Sequence, residues 1–208
     1  MPAPWIVVTG LDGAGKSTLV RDLAERLRGK RFRLPYHDWV KPGLCRSGYG
    51  KPFGDILTDR LIFAADARLT NYLVREWRLT HRALVSQRGW MDSYVFGAVQ
   101  GLDYEEVDAM LRLAELERPS AIVHLVAEPS VAYGRIRDDP TADKYETLAF
   151  LRRQHEETLR VYRAVSSGLG VFAPLAGIPS VLIDTTRKTT DAVLAETERF
   201  LRSCRCAR

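Results

Sequence analysis

The sequence predicts an α/β fold, a doubly wound parallel sheet with helices on both faces, and three observations carry that prediction. Several short apolar runs lack polar alternation, as buried parallel strands do. Stretches with helical periodicity lie between them. A glycine-rich turn joins the first such run to the first helical stretch.

In chain order, Trp5 to Thr9 is the first apolar, β-rich run, and Leu19, Leu23 and Leu27 then recur at four-residue spacing along one helical face. Ala83 to Ser86, Ala121 to Ala127 and Ser180 to Ile183 are the later strand-like runs. Helical patterns fall at Asp59 to Leu79, Tyr104 to Leu116 and Lys144 to Val165. In the last of these Leu148, Leu151, His155, Leu159 and Tyr162 follow a stripe of three to four residues. Strands alternating with helices place ligands at the carboxyl ends of the strands. Pro35 to Gly54, with three prolines and four glycines, is the least regular stretch, a surface excursion or a cover for a pocket.

The chain has 208 residues, 46% of them hydrophobic, enough for one well-buried domain spanning residues 1–208 and too few for two ordinary ones. No apolar run approaches the roughly 20 residues of a bilayer span, and no basic segment with a cleavable apolar stretch opens the chain. A cytoplasmic protein without a membrane partner is expected. Cys45, Cys204 and Cys206 lack the paired spacing of a zinc site and read as free thiols. His37, His81, His124 and His155 have no metal-ligand spacing either, and His124 in mid-strand reads as packing. A net charge of +5 suits polyanions or nucleotide phosphates, although solvated helix ends account for it equally well.

Chemistry enters at Gly10-Leu11-Asp12-Gly13-Ala14-Gly15-Lys16-Ser17-Thr18, which satisfies G-x-x-x-x-G-K-[ST] between a strand and a helix. Glycines there let successive backbone N–H groups point inward at phosphates, and the helix N-terminus adds partial positive charge. Lys16 adds a full charge for the β- and γ-phosphates of ATP, and the Ser17 hydroxyl is placed to ligate Mg²⁺. Asp12 inside the loop would repel phosphate unless it serves the acceptor.

At this point the sequence resembles the thymidylate kinases over most of its length, and the loop is the one those enzymes carry. Phe63-Ala64-Ala65-Asp66 resembles their Phe-Ala-Ala-Asp-Arg segment, with Ala67 in place of the arginine and Arg68 one position late. Asp92-Ser93-Tyr94 resembles their Asp-Arg-Tyr, with Ser93 for arginine. Arg118-Pro119, Glu128-Pro129 and Arg135 are similar to the run into the lid, Asp143-Lys144-Tyr145-Glu146 to the lid itself, and Ile183-Asp184-Thr185 to the last strand and the loop bordering adenine. The resemblance implies a three-layer P-loop NTPase fold with a helical lid near 135–150, ATP and Mg²⁺ as cofactors, and a homodimer.

With arginines missing on the acceptor side, three readings stand. Arg68 could swing into the vacated place of an ordinary dTMP or related deoxynucleoside monophosphate kinase. The acceptor could instead be a hydroxyl, as in the phage 5-hydroxymethyluracil DNA kinases, whose partner is DNA containing a modified thymine. The favoured expectation is this second one. A nucleotide-binding switch without phosphoryl transfer is the third.

Roles are assigned accordingly. Lys16, Asp12, Asp92 and Arg135 form the catalytic set. The loop, with Arg137 and Lys144, grips ATP. Arg68, Tyr94, Phe96 and Gln100 meet the acceptor, an aromatic ring stacking on a pyrimidine while Gln100 reads its edge. Arg135 is expected to supply transition-state charge from the lid, so that Arg135→Ala lowers turnover about 10²-fold.

Overall fold

In the computed structural model residues 2–40, 56–138, 147–168, 170–204 and 206 are described. Five parallel strands make one sheet in the order β2-β3-β1-β4-β5, where β1 is Trp5–Gly10, β2 Lys30–Arg33, β3 Leu84–Gln87, β4 Ala121–Val126 and β5 Ser180–Asp184. Each of β1 and β4 is buried along its whole length, as expected of strands without polar alternation. The crossovers between parallel strands supply the helices: α1 (Lys16–Leu27), α2 (Ile56–Thr80), α3 (Asp92–Gln100), α4 (Tyr104–Leu113), α5 (Pro129–Ile136), α6 (Leu148–Ser167) and α7 (Thr190–Ser203).

Alternation along β1 sends side chains into two cores. Trp5 and Val7 join Leu84, Ala64, Val74, Tyr94 and Val161, under α2, α3 and α6. Ile6 and Val8 join Leu23, Val85, Val123 and Val193, under α1 and α7. The three-layer α/β architecture expected from the sequence is therefore present.

The boundaries differ in instructive ways. Strand β2 is an addition, because three of its four residues are basic and Phe32 alone is buried. Helix α4 stops at Leu113 rather than Leu116, just before Glu115 takes a left-handed φ of 48°. Helix α6 begins at Leu148, where the Thr147 hydroxyl accepts from the Phe150 amide. The remainder of the expected lid, 139–146, lies outside the described residues, as do 41–54 of the irregular stretch. No helix among the described residues is long and apolar enough to cross a membrane.

The chain's direction orients α2. Its last turn meets the amino end of β1, where the Ala3 amide donates to the Arg78 carbonyl at 2.7 Å and Arg78 Nε to the Ala3 carbonyl at 2.9 Å. The first turns of α2 consequently lie toward the carboxyl ends of the strands.

Candidate active site

The loop from Gly10 to Thr18 leaves β1 and enters α1, and its glycines are structural necessities. A Cβ on Gly10 would lie 1.9 Å from the Leu125 carbonyl oxygen, and one on Gly13 would lie 2.3 Å from that of Ala132. Both hold a positive φ. Leu11 and Ala14 are buried and anchor the turn from below, while Gly15 and Ser17 face solvent at the start of α1. The free amides of that helix end make an anion site.

Lys16 is 4% exposed and is internally satisfied. Its Nζ donates to the carbonyls of Gly10 and Leu11, each at 2.9 Å, and to Asp12 Oδ1 at 2.8 Å. Burial pushes the amine below its ordinary value, against the opposing pull of Asp12.

Asp12 Oδ1 accepts a second charged bond, from Arg88 Nη2 at 2.9 Å. Burial alone would raise this carboxyl, but Lys16 and Arg88 outweigh it and hold the group well below the usual carboxylate range. The other oxygen, Oδ2, lies 3.5 Å from Gln154 Nε2 of α6. Arg88 follows β3 directly, with a left-handed φ of 67°, and its guanidinium sits 5.0 Å from the Phe96 ring centroid. Strain of this kind in a non-glycine residue concentrates at functional sites.

Asp92 opens α3, four residues past Arg88. Its Oδ1 accepts from Thr9 Oγ1 at 2.6 Å and its Oδ2 from the Gly89 amide at 2.8 Å, so one carboxylate ties β1 to the turn after β3. Burial raises its pKa, against the Thr9 hydroxyl, Arg88 and the Gly89 amide.

Beside the loop opens a cleft, the concave kind of surface in which small-molecule sites lie. It is lined by a face of α3 carrying Asp92, Ser93, Phe96 and Gln100 and by a face of α2 carrying Asp59, Arg60, Phe63, Asp66 and Ala67. Phe150 of α6 stacks on Phe96 with centroids 6.3 Å apart. The buried Gln100 Oε1 has no hydrogen-bond partner among the described residues. Asp66 accepts from the amides of Tyr36 and His37 and from His37 Nδ1, which pins the segment after β2 against the cleft.

Among the residues singled out from sequence, Asp12, Asp92, Phe96 and Gln100 meet at this cleft, with the loop adjoining it. Tyr94 does not face it. That ring is 1% exposed, donates its hydroxyl to Asp108 Oδ1 at 2.9 Å and packs on Phe172 in the core, because position 94 falls on the inner side of α3. Arg68 does not face it either. It donates to the Ala114 carbonyl at 3.1 Å and to Glu115 Oε2 at 3.0 Å, one helical position beyond the face that carries Ala67.

Arg135 braces the back of the phosphate loop. It donates to the carbonyls of Gly13, Thr185 and Thr186 and to the Thr185 hydroxyl, at 3.0 to 3.3 Å. Its reach is thus toward the end of β5 rather than over the phosphates. Arg137 is exposed and pairs with Asp138, and Lys144 lies outside the described residues. The sequence reading missed Arg60, Arg88 and Phe150. For Arg88 a signal existed, a cation beside a glycine at the carboxyl end of a strand.

No family model matches the chain. Among curated proteins it is 30% identical over 179 residues to a probable thymidylate kinase of Pyrobaculum aerophilum, covering 81% of this chain and 86% of that protein. A probable thymidylate kinase of Methanococcus aeolicus is 24% identical, with 92% of both chains covered. Among solved structures, the thymidylate kinase of Candida albicans superposes with a TM-score of 0.75 over all of this chain and 94% of that one; at 15% identity this likeness concerns the fold.

Proposed function

The chain belongs to the thymidylate kinase family, ATP-dependent phosphotransferases, and we propose that it moves the γ-phosphate of ATP, with Mg²⁺, onto thymidine 5′-monophosphate. The observation that carries the acceptor assignment is Arg88. Its guanidinium lines the cleft, is bonded to Asp12 of the phosphate loop, and lies over the ring of Phe96. Arginine at the junction of a phosphate loop and an aromatic slot suits a nucleotide that presents a phosphate to the donor.

The residues divide the work. Backbone amides from Gly10 to Thr18 and the α1 N-terminus hold the β- and γ-phosphates, and Lys16 exchanges its internal acceptors for phosphate oxygens. Arg88 orients the acceptor phosphate, Phe96 and Phe150 flank the base, and the orphan Gln100 carbonyl accepts from a base N–H. The exposed Ser17 hydroxyl is the protein ligand that suits Mg²⁺, an ion that keeps several waters and takes substrate phosphates as its other ligands. Bound there, the cation would neutralise charge building up between the β- and γ-phosphates. Among the described residues no cluster of three acidic, histidine or cysteine side chains competes for it.

The expectation of a hydroxymethyl acceptor within DNA rested on a missing arginine. Two arginines, Arg60 and Arg88, line the cleft, and the relatives found are named as thymidylate kinases. The test offers γ-labelled ATP and Mg²⁺ with dTMP and with 5-hydroxymethyluracil DNA in parallel. Label on dTMP is expected, abolished in Lys16→Ala; label on the DNA alone would overturn the assignment.

A cytoplasmic homodimer belongs to the same proposal. The dimer is supported by an outward stripe on α2, where Leu57, Leu61, Leu69, Tyr72 and Leu79 are 42 to 79% exposed. Sedimentation at rising concentration should give a dimer, and Leu69→Arg a monomer.

A further inference from the structure

A carboxylate inside a phosphate loop repels the phosphates that the loop has to hold. In the structure Asp12 is restrained by two cations, because its Oδ1 accepts from Lys16 at 2.8 Å and from Arg88 at 2.9 Å. The loaded enzyme proposed above turns both cations to phosphates, Lys16 to the donor and Arg88 to the acceptor. Asp12 also lines the cleft, so it stands where the γ-phosphate must face the acceptor. A carboxylate that followed its cations would confront the group being transferred.

Gln154 of α6 is the partner that remains. Its Nε2 lies 3.5 Å from Asp12 Oδ2, the oxygen opposite the one that the cations share. An ionised carboxylate only accepts, so the amide presents its nitrogen and turns its carbonyl away. That carbonyl oxygen, Oε1, is buried without a hydrogen-bond partner among the described residues, on a residue that is 1% exposed. An unpaired buried carbonyl is costly, and methionine would fill the same space without that cost. Position 154 therefore carries an amide for a reason other than packing. At 3.5 Å the contact is at the outer limit of a hydrogen bond, whereas donors to carboxylates ordinarily close to about 2.9 Å or less. The slack lets Asp12 be drawn toward α6 when its cations leave, and buried neighbours on that helix, Leu151, Thr158 and Val161, keep the support rigid.

We infer that Gln154 is a positioning residue that holds Asp12 back from the γ-phosphate while Lys16 and Arg88 engage theirs. The inference rests on the phosphoryl-transfer reading above. Its consequence is a selectivity: ADP ends before the place that a released Asp12 would invade, so losing the amide weakens ATP and spares ADP.

The experiment titrates a non-hydrolysable ATP analogue and ADP, each with Mg²⁺ and saturating dTMP, into the parent, Gln154→Met, Asp12→Asn and the double variant, followed calorimetrically. Gln154→Met should weaken the analogue by about tenfold, the low end for a hydrogen bond to a charged group, and leave ADP unchanged. Gln154→Leu should repeat that result with a second apolar shape. In the Asp12→Asn background Gln154→Met should alter neither ligand, since no charge is left to hold back. Equal weakening of the analogue and ADP, or a loss that persists without the Asp12 charge, makes Gln154 structural and overturns the inference. Parental affinity for the analogue in Gln154→Met overturns it as well. A parent that binds no dTMP overturns the acceptor assignment instead, and the role of Gln154 is then decided by the same ratio measured without dTMP.

Discussion

Replacing Asp12 by asparagine should weaken the ligand-free enzyme and tighten its grip on ATP. Lys16 Nζ and Arg88 Nη2 bond the same oxygen at 2.8 and 2.9 Å, so the two nitrogens are separated by about 5.7 Å at most. With the carboxylate gone, two cations at that distance repel by about 3 kcal/mol at an effective dielectric constant of ~20. The Asp12 side chain is 16% exposed, and screening trims the expected loss to about 2 kcal/mol. Urea unfolding at neutral pH reads this directly. A non-hydrolysable ATP analogue, titrated without magnesium, should bind about 30-fold more tightly, because its phosphates relieve the same repulsion.

The acid limb provides a second readout. The folded-state pKa of Asp12 is depressed, so its contribution is present above the ordinary carboxylate value of ~3.9 and fades as pH falls below it. The asparagine variant lacks that part of the decline. Stability within about 0.5 kcal/mol of the parent, a margin typical of a neutral surface change, together with unchanged analogue affinity, would show that the shared oxygen does not govern the loop.

Three further outcomes are expected. Arg135→Ala should raise the ATP KM by about tenfold, since it strips a charged group that ties the Gly13 carbonyl of the loop to the Thr185 and Thr186 carbonyls after β5; a turnover loss of 10² with constant KM would return Arg135 to a transition-state role. Gly13→Ala forces a Cβ to 2.3 Å from the Ala132 oxygen at a φ of 81°, and should cost at least about 2 kcal/mol in urea unfolding and abolish ATP binding; wild-type affinity would refute the close approach. His124 is buried, and burial lowers its pKa to about 4, with Nε2 unpartnered among the described residues. The unfolded chain takes up the proton first, so stability is complete above pH 6.5 and falls by about 3 kcal/mol toward pH 4; His124→Phe should flatten that slope, and an identical slope would place the titration elsewhere.

How much of this was legible in the sequence depended on whether the signal was local. The phosphate loop was, because its glycines, Lys16 and Ser17 are consecutive and sit between a strand and a helix. Four strands were, because their apolar runs lack polar alternation, a pattern that full burial imposes on β1 and β4. The acceptor side was harder. Tyr94 and Phe96 are both aromatic residues on one short helix, and only the angle at which α3 meets the sheet sends Tyr94 into the core and Phe96 into the cleft. Arg68 looked like a displaced arginine, yet one helical position is a rotation of about 100°, enough to carry it to Glu115. Arg60, Arg88 and Phe150 come from three separate elements, and their meeting is a product of topology.

Strand β2 carries a consequence of its own. It forms one edge of the sheet, pairing with β3, and among the described residues no strand adjoins its outer backbone edge. Lys30, Arg31 and Arg33 give that edge a row of positive charge, which disfavours addition of an identical strand from another molecule. The basic residues that hid the strand from a pattern of apolar runs therefore also protect the sheet from growing into aggregates, and exchanging them for threonine or valine would be expected to cost solubility before it cost activity.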